Sequence, residues 1–458
     1  MARKYDIVIV GGGAAGIAAS ATARAAYPDK SALLIRATER SIVPCAIPYI
    51  FKTLDGVEKN FIPDEAITGP GTELMVDKVV ELDVENKRLK TEKGEEIEYD
   101  KLVLATGSLP AMPPIPGSDL DGVHPVYKDP AYLAKLREEV LAARNIVIVG
   151  GGFIGVEMAE EFSKLGGKSI HVVEILPHLL EAAFDEEFCV EVEEELKGRG
   201  IEIHTGRKAL RFEGDGKVEK VVLDDGTELV ADLVIVATGA KPNISLAEQA
   251  GIRVGRSGAI EVDEYMRTSV PDVFAVGDCA EKRDFFTRKP AQVMLASVAC
   301  AEARTAVQNL FKLRLPRQVR GTIAAFSTKV GRLSLGVAGL TEEAARREGF
   351  EVVVGEFETV DRHPAAMPET CPIRVKLLFS KGMGILLGGQ VMGGPCPRGE
   401  SSLCAGEIVN ILGMATLMQL NAAQLETLQV ATHPWLTPAP TVYPIVMATQ
   451  AALPKIGI

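Results

Sequence analysis

The fold of this chain is decided by two similar stretches, Asp6–Gly16 (DIVIVGGGAAG) and Asn145–Gly155 (NIVIVGGGFIG). In each, an apolar run typical of a buried parallel strand leads into a glycine turn, and a helix-forming sequence follows. The spacing G-x-G-x-x-G in this setting is the fingerprint of a dinucleotide-binding unit. The first glycine makes the tight turn, the second lets the backbone approach a pyrophosphate, and the third lets helix and strand pack closely. The candidate phosphate-binding residues are Gly11, Gly13, Gly16, Gly150, Gly152 and Gly155.

In such a unit, an acidic residue at the end of the second strand contacts the ribose of the nucleotide. In the second unit this residue is Glu174, whose carboxylate accepts from ribose hydroxyls and repels a 2′-phosphate, so NADH is favoured over NADPH. In the first unit Arg36 stands at the matching position, and Glu39 is the nearest acid. Two interpretations stay open: Glu39 reaches the ribose across a distorted turn, or Arg36 contacts a phosphate.

Length and charge limit the classes of protein to which the chain can belong. Its 458 residues are too many for one hydrophobic core. A net charge of −12 argues against a nucleic-acid partner, which needs a basic face. No apolar run reaches the roughly 18 residues that span a bilayer, and the N-terminus lacks the apolar stretch of a signal peptide. We therefore expect no membrane partner and a cytoplasmic location.

The cysteines are seven in number, irregularly spaced and without a CxxC pair. This spacing predicts neither a disulfide framework nor a zinc site, and we expect no metal among the site residues. Cys396 and Cys404 are interpreted as structural. Chemistry at sulfur would then depend on single thiols.

Three further segments connect the two units with a known family. A-T-G segments end predicted strands at Ala105–Gly107 and Ala237–Gly239, and TSVPDVFAVGD runs from Thr268 to Asp278. Together with the glycine turns they resemble the FAD-dependent pyridine nucleotide-disulfide oxidoreductases, from residue 5 to the C-terminus. The resemblance implies FAD on the first unit, NAD(P)H on the second, and a contact from Asp278 to the flavin ribityl chain. The other cofactor-site residues that it implies are Thr106, Gly107, Gly239 and Gly277.

The resemblance also implies an α/β architecture, with two Rossmann-like (three-layer ββα) dinucleotide-binding domains and a C-terminal α+β dimerisation domain. We place the FAD-binding domain at residues 1–120 and 255–325, the NAD(H)-binding domain at 121–254 and the interface domain at 326–458. The family resemblance further implies a homodimer in which the partner subunit completes each active site.

Cys45 points to the single-cysteine branch of this family. Classical members have a second cysteine close by, whereas the next cysteine here is Cys189. The branch includes CoA-disulfide reductases, NADH oxidases and peroxidases, and NAD(P)H persulfide or polysulfide reductases. The segment Cys45–Tyr49 (CAIPY) resembles the motif of the CoA-disulfide reductases. Peroxidases and water-forming oxidases carry a histidine where this chain has Ala14, which disfavours both. Without the family resemblance, a buried structural cysteine would be the favoured interpretation.

Two histidines are candidate catalytic acids by resemblance. His433-Pro434 is similar to the start of the C-terminal H-P-x-x-x-E motif, in which the partner subunit's histidine protonates the leaving thiolate. Pro438 replaces the glutamate that orients this histidine. His363-Pro364 lies where CoA-disulfide reductases tend to have a Tyr-Pro near the active cysteine. A structural histidine before a proline is the alternative for both.

Glu157 matches a family glutamate that pairs with a lysine near the flavin. Lys52 is the candidate partner, although its offset from Cys45 is unusual, and a solvated helix glutamate is the alternative.

The function that the sequence favours is NADH-dependent reduction of a small disulfide, persulfide or polysulfide, with coenzyme A as a candidate substrate moiety. Electrons would pass from NADH through FAD to a disulfide between Cys45 and the substrate, because a lone thiol must cycle through a substrate-linked or oxidised form. The first alternative is an NADH oxidase that reduces oxygen. The second is an electron-transfer reductase for a redox protein or a metal acceptor, for which Cys45 would be dispensable. The last alternative is a redox sensor that binds the flavin and the nucleotide but turns over no acceptor.

Overall fold

The computed structural model describes residues 3–68, 71–312, 317–396, 402 and 404–457. Its first half contains the following elements. The first run of the chain forms β1 (Arg3–Val10), α1 (Ala14–Ala26), β2 (Ala32–Arg36), β3 (Ser41–Ile42), β4 (Phe61–Ile62), α2 (Asp64–Ile67), β5 (Thr72–Val76), β6 (Val79–Asp83), β7 (Arg88–Thr91), β8 (Glu96–Leu104) and β9 (Ser108–Pro110). The second run forms β10 (Val123–Pro125), α3 (Pro130–Ala142), β11 (Asn145–Val149), α4 (Phe153–Ser163), β12 (Ser169–Val173), α5 (Glu186–Lys197), β13 (Ile201–His204), β14 (Ala209–Glu213), β15 (Lys220–Leu223), β16 (Glu228–Val230), β17 (Leu233–Val236), β18 (Ala240–Pro242) and α6 (Ser245–Gln249).

The second half returns to the first unit and then forms the C-terminal domain. The returning run contains β19 (Val273–Ala275), β20 (Lys282–Arg283), β21 (Pro290–Ala291) and α7 (Ala296–Gln308). The last run contains β22 (Phe326–Val330), β23 (Leu333–Gly339), α8 (Glu342–Arg347), β24 (Val352–Val360), β25 (Pro372–Ser380), β26 (Leu386–Gly393), α9 (Cys404–Leu417), α10 (Ala422–Glu426) and α11 (Pro444–Ile456).

The first sheet has a parallel centre in the order β5-β2-β1-β8, with β19 joined to β8. The antiparallel strands β7 and β6 extend it from β8. Strand β1 is fully buried from Ile7 to Ile9 because the sheet is covered on both faces, which explains its unbroken apolar run. The returning segment is therefore part of the first unit, and the second unit is inserted between its two halves.

The second sheet is wholly parallel, in the order β10-β17-β11-β12-β13. Alternate residues of β11 face opposite layers because side chains alternate along a strand. Ile146 and Ile148 pack with α3, α4 and α5, whereas Val147 and Val149 pack with the antiparallel sheet β14-β15-β16. A short antiparallel pair, β9 with β18, connects the second unit to the first.

The C-terminal domain is an antiparallel sheet in the order β22-β23-β26-β25-β24. Helices α9 and α11 pack on one face of this sheet and close an apolar core of their own. The predicted architecture is therefore confirmed: two Rossmann-like units are followed by an α+β domain.

The cysteine prediction was wrong at one pair. Cys371 and Cys396 form a disulfide, with their Cα atoms 4.8 Å apart. Cys371 directly precedes β25 and Cys396 follows β26, and these two strands pair antiparallel with Ile373 opposite Gly393. The pairing brings the two thiols side by side although 25 residues separate them. Irregular spacing in the sequence could not show this contact.

Candidate active site

The first and third glycines of both turns are fixed by close packing. A Cβ on Gly11, whose φ is +128°, would lie 2.0 Å from the Ala105 carbonyl oxygen, and one on Gly16 would lie 1.8 Å from the Gly11 oxygen. In the second unit, a Cβ on Gly150 would lie 2.5 Å from the Ala237 oxygen, and one on Gly155 would lie 1.9 Å from the Gly150 oxygen. Each position excludes any side chain, as the fingerprint predicts.

The second glycines are different because they face open space. A Cβ on Gly13 or Gly152 would meet no atom within 4 Å. These residues are the N-caps of α1 and α4, and neither helix receives a side-chain cap there. The first backbone N–H groups of both helices are thus left for a ligand, and helix N-termini favour anions. Both turns fit the pyrophosphate of a dinucleotide.

Glu174 lies directly beside the second turn. Its carboxylate accepts from the Gly151 N–H at 2.5 Å and from the Leu176 N–H at 2.8 Å. This fixed carboxylate occupies the position that a ribose-binding acid requires.

In the first unit, the matching residue Arg36 is buried and occupied by protein partners. Its guanidinium donates to Asp64 at 2.7 and 3.1 Å and to the Glu39 carbonyl oxygen at 2.6 Å. Its Nε is buried without a hydrogen-bond partner in the protein. The Glu39 side chain is exposed. Asp64, which the sequence analysis missed, lies 28 residues after Arg36 and gives no local signal.

Asp278 stands in a charged pocket that the sequence analysis did not foresee. Its carboxylate accepts from Ser108 Oγ at 2.7 Å and from Lys128 Nζ at 3.0 Å. Burial alone would raise the pKa of Asp278, but the Lys128 ammonium and the Ser108 hydroxyl outweigh it and lower the pKa. Asp278 is therefore held as a carboxylate, ready to accept hydrogen bonds from a polyol chain.

The preceding residue, Gly277, is held by a buried ion pair. Its φ is +76°, its N–H donates to Glu302 Oε2 at 2.8 Å, and its carbonyl accepts from Lys282 Nζ at 2.6 Å. Burial raises the pKa of Glu302 to about 7, against the opposing charge of Lys282. Both partners fix the turn that presents Asp278, and neither was predicted.

The two A-T-G segments meet at the β9–β18 junction. Thr106 Oγ1 donates to the Asn243 carbonyl at 2.6 Å, and the Asn243 N–H donates to the Gly107 carbonyl at 2.9 Å. On the other side, the Gly239 carbonyl accepts from the Ala111 N–H at 2.9 Å. Thr106, Gly107 and Gly239 thus lie at the hydrogen-bonded junction between the units.

Cys45 lies in a short 3-10 turn, Pro44–Ala46, and is exposed. All seven cysteines lie in the described ranges, and the other free thiols are buried or half-buried. Partial desolvation by the surrounding protein raises the pKa of the Cys45 thiol, and the Glu157 carboxylate adds to this effect. Lys128 opposes it, and Asp278 raises the pKa further. The thiol is accessible, and the residues that surround it belong to both units.

Glu157 does not pair with Lys52. The Lys52 side chain is exposed, and Glu157 instead accepts from Thr328 Oγ1, on β22 of the C-terminal domain, at 2.7 Å. Burial raises the pKa of Glu157 to about 7. The expected ion pair is thus replaced by a hydrogen bond that connects α4 with the C-terminal sheet. The alternative interpretation, that Glu157 is a solvent-exposed glutamate on the helix, is also wrong.

His363 and His433 lie in one loop cluster of the C-terminal domain. The His363 Nδ1–H donates to the Thr437 carbonyl at 2.9 Å, and its backbone N–H donates to the Pro434 carbonyl at 3.1 Å. His433 is exposed, and its Nδ1 accepts from the Trp435 N–H at 3.3 Å. In the neutral ring the proton of His433 therefore lies on Nε2. No hydrogen bond within the described part of the chain joins either histidine to Cys45.

The comparisons with known proteins agree with this geometry. The family model "Pyridine nucleotide-disulphide oxidoreductase" matches residues 5–303, and the model of the dimerisation domain of that family matches residues 325–442. The chain belongs to the pyridine nucleotide-disulphide oxidoreductase family. The resemblance stated from the sequence is thereby confirmed.

Three relatives show which branch this chain is similar to. The NAD(P)H coenzyme A polysulfide/persulfide reductase of Pyrococcus horikoshii is 37% identical over 399 residues, which cover 85% of this chain and 88% of the relative. The NADH oxidase of Methanocaldococcus jannaschii is 31% identical over 465 residues, which cover 98% of this chain and 99% of the relative. The solved structure of an NAD-dependent persulfide reductase from A. fulgidus has a TM-score of 0.88 at 29% identity, with 98% of this chain and 83% of that one covered.

Family membership settles the class of activity. The chain is an NAD(P)H-dependent oxidoreductase of a family that uses FAD, and its two glycine turns fit both cofactors. The dimerisation domain supports a homodimer. None of the described helices is both long and apolar enough to cross a membrane.

Proposed function

We propose that this enzyme uses NADH to reduce a low-molecular-weight disulfide, persulfide or polysulfide, with CoA-linked sulfur as the preferred class. The observation that carries the proposal is the single exposed thiol of Cys45, with every other cysteine buried, half-buried or in a disulfide. A lone thiol must exchange with the substrate itself, because no second thiol can resolve it within the chain. The relatives named for CoA-dependent sulfur reduction support this choice.

The Cys45 cycle balances as follows. The Cys45 thiolate attacks a substrate disulfide, one substrate thiolate leaves, and a mixed disulfide with Cys45 remains. NADH and one proton then restore the Cys45 thiol and release the second substrate thiol. FAD, when bound, supplies the carrier for the two electrons between nicotinamide and sulfur.

The cofactor roles are distributed over the two units. Gly11, Gly13 and Gly16 would hold the FAD pyrophosphate, Asp278 the ribityl chain, and Glu39 the adenosine ribose, with Thr106, Gly107 and Gly277 shaping the site. Gly150, Gly152, Gly155, Glu174 and Gly239 would hold NADH. The first set belongs to a domain at 1–120 and 255–325, the second to a domain at 121–254, and residues 326–458 form the interface domain.

His433 of the partner subunit is the proposed acid for the leaving thiolate. Its exposure supports this role, because the ring can take up a proton from solvent and the resulting imidazolium can give its Nε2 proton to the thiolate. His363 would shape the same loop, since its ring and backbone both bond the His433–Thr437 segment.

The test is anaerobic NADH oxidation by wild type, Cys45→Ser and Cys300→Ser, with CoA disulfide, CoA persulfide and polysulfide offered in turn. Cys300 is the matched control because it is the next most exposed free cysteine. We expect turnover by wild type and Cys300→Ser with at least one substrate, and loss in Cys45→Ser. Equal turnover by Cys45→Ser and wild type would exclude Cys45 as the redox centre. NADH oxidation in air without any sulfur compound, together with no turnover of the sulfur substrates, would favour the oxidase.

A further inference from the structure

A cluster of two histidines and a glutamate lies at the outer end of the second sheet. Strand β13 is the edge strand and pairs parallel with β12, with His171 opposite Glu202 and Val173 opposite His204. Residues paired across parallel strands share a face, and so do residues two apart on one strand. His171, Glu202 and His204 therefore all project from one face, on the side covered by β14–β16.

The potential ligand atoms of these three side chains converge. His171 Nδ1 lies 3.2 Å from His204 Nε2 and 3.6 Å from Glu202 Oε2. One atom from each side chain can be chosen so that all three lie within 4.8 Å of one another. A Zn²⁺ ion binds imidazole nitrogen and carboxylate oxygen at about 2.0–2.2 Å. Ligand atoms at these mutual separations can share one such ion.

The surroundings suit metal ligands of this kind. The His171 side chain is 12% exposed and that of Glu202 is 66% exposed, so the cluster is in part accessible to an ion from solvent. The other nitrogen of His171 lies 3.2 Å from Ser169 Oγ, a partner that can orient the ring. The nearby cation Arg207 is neutralised by Asp225 at 2.8 Å.

We propose that His171, Glu202 and His204 form a binding site for a divalent transition-metal ion, with Zn²⁺ as the best match. Two imidazoles and one carboxylate are the ligand set that borderline ions such as Zn²⁺ prefer, whereas Mg²⁺ and Ca²⁺ prefer oxygen alone. Three protein ligands leave the fourth position of a tetrahedral ion to solvent. The cysteine spacing predicts no metal site, and the two histidines lie 33 residues apart, so no local motif indicates them.

The site adjoins the NADH-binding turn. The His204 carbonyl accepts from the Glu174 N–H at 2.9 Å, so the strand end that carries one ligand also holds the ribose-binding residue. An ion that bridges β12 and β13 would fix both strand ends next to Glu174.

The test is Zn²⁺ titration of the metal-free, FAD-loaded enzyme by calorimetry, in a Cys45→Ser background that removes the exposed thiol as a competing ligand. We expect one bound ion per chain. His171→Gln and His204→Gln should each weaken binding by about 10-fold or more, since even the partners of metal ligands contribute 10–100-fold. Glu202→Gln should also weaken it.

His124→Gln is the matched control. His124 also lies against a carboxylate, Glu139, at 2.7 Å, but the described structure places no second histidine there as a ligand. This variant should bind Zn²⁺ like its parent. Bound FAD and its reduction by NADH show that each variant is folded. The proposal is overturned if the parent does not bind Zn²⁺, or if neither histidine substitution weakens binding. His171 and His204 would then form only a hydrogen-bonded pair of rings.

Discussion

At the scale of single residues, desolvation and then opposing charges set the reactivity of Cys45. Glu157 and Asp278 disfavour the thiolate, whereas Lys128 favours it. The same Lys128 also holds Asp278 as a carboxylate at 3.0 Å. Lys128 thus acts on both the Cys45 thiol and Asp278, the proposed flavin contact. The reactivity of Cys45 therefore reports the charges of the groups around it.

Glu157→Gln should make Cys45 react with iodoacetamide at lower pH than wild type, because a negative charge beside the thiolate is removed. The amide oxygen can still accept from Thr328, so the fold should persist. The measurement is the alkylation rate of the FAD-loaded enzyme against pH. Glu138→Gln, an exposed glutamate on α3, should leave the profile unchanged. A profile for Glu157→Gln that moves to higher pH contradicts the assignment.

Lys128→Met should have the opposite effect, since it removes the cation that stabilises the thiolate. The alkylation profile should move to higher pH. An unchanged profile would show that Lys128 does not act on Cys45.

Several candidate site residues can be predicted from the sequence because their signals are local. The glycine spacing, the acid after β12 and the lone cysteine each lie within a short motif. The partners of Asp278 could not be inferred, because Ser108 and Lys128 lie 170 and 150 residues away. Glu157 was paired with the wrong residue for the same reason, since its partner Thr328 belongs to another domain.

At the scale of elements, the strand–turn–helix unit β11–α4 with β12 should determine nucleotide choice. Glu174→Gln should raise the ratio of kcat/KM for NADPH to that for NADH by about tenfold, which corresponds to about 1.4 kcal/mol. The neutral side chain no longer repels a 2′-phosphate, and its oxygen can still accept from Gly151.

The control for this prediction is Glu186→Gln, at the start of α5, whose side chain is 77% exposed. Steady-state rates with both nucleotides, measured with an artificial electron acceptor, would make the comparison independent of the sulfur substrate. A ratio that changes equally in both variants would mean that Glu174 does not select the nucleotide.

Elements with a clear apolar run beside a glycine turn can be predicted from the sequence. The pairing of strands that are distant in the sequence cannot. The buried runs of β1 and β11 are apolar throughout because both sheets are covered on two faces. The Cys371–Cys396 disulfide and the His171–His204 cluster depend on which strands become neighbours. Strand order is a property of the folded sheet, and no spacing within one motif encodes it.

At the scale of the whole molecule, a buried charge cluster joins the C-terminal domain to the second unit. Lys376 on β25 has a side chain that is 7% exposed and lies 2.9 Å from Asp185 and 3.0 Å from Glu342. Glu187 on α5 completes the cluster. The three carboxylates raise the pKa of Lys376 against the effect of burial, so it stays charged.

Lys376→Met should lower the free energy of unfolding by about 3–5 kcal/mol, because three carboxylates lose their buried cation. Lys381→Met is the matched control, since Lys381 and its partner Glu351 are 58% and 77% exposed and lie 3.2 Å apart. That pair should contribute less than about 1 kcal/mol. Denaturant unfolding at fixed protein and FAD concentrations compares the two, and equal losses would refute the role of the cluster.

The reductive titration of the enzyme tests the single-cysteine cycle most directly. The FAD-loaded protein is incubated with CoA disulfide, freed of excess reagent and titrated with NADH without oxygen. We predict that wild type consumes one more equivalent of NADH per FAD than Cys45→Ser and releases one CoA thiol as it does so. Equal NADH consumption by the two proteins, with no CoA released, would contradict the single-cysteine cycle. It would show that Cys45 forms no mixed disulfide that NADH reduces.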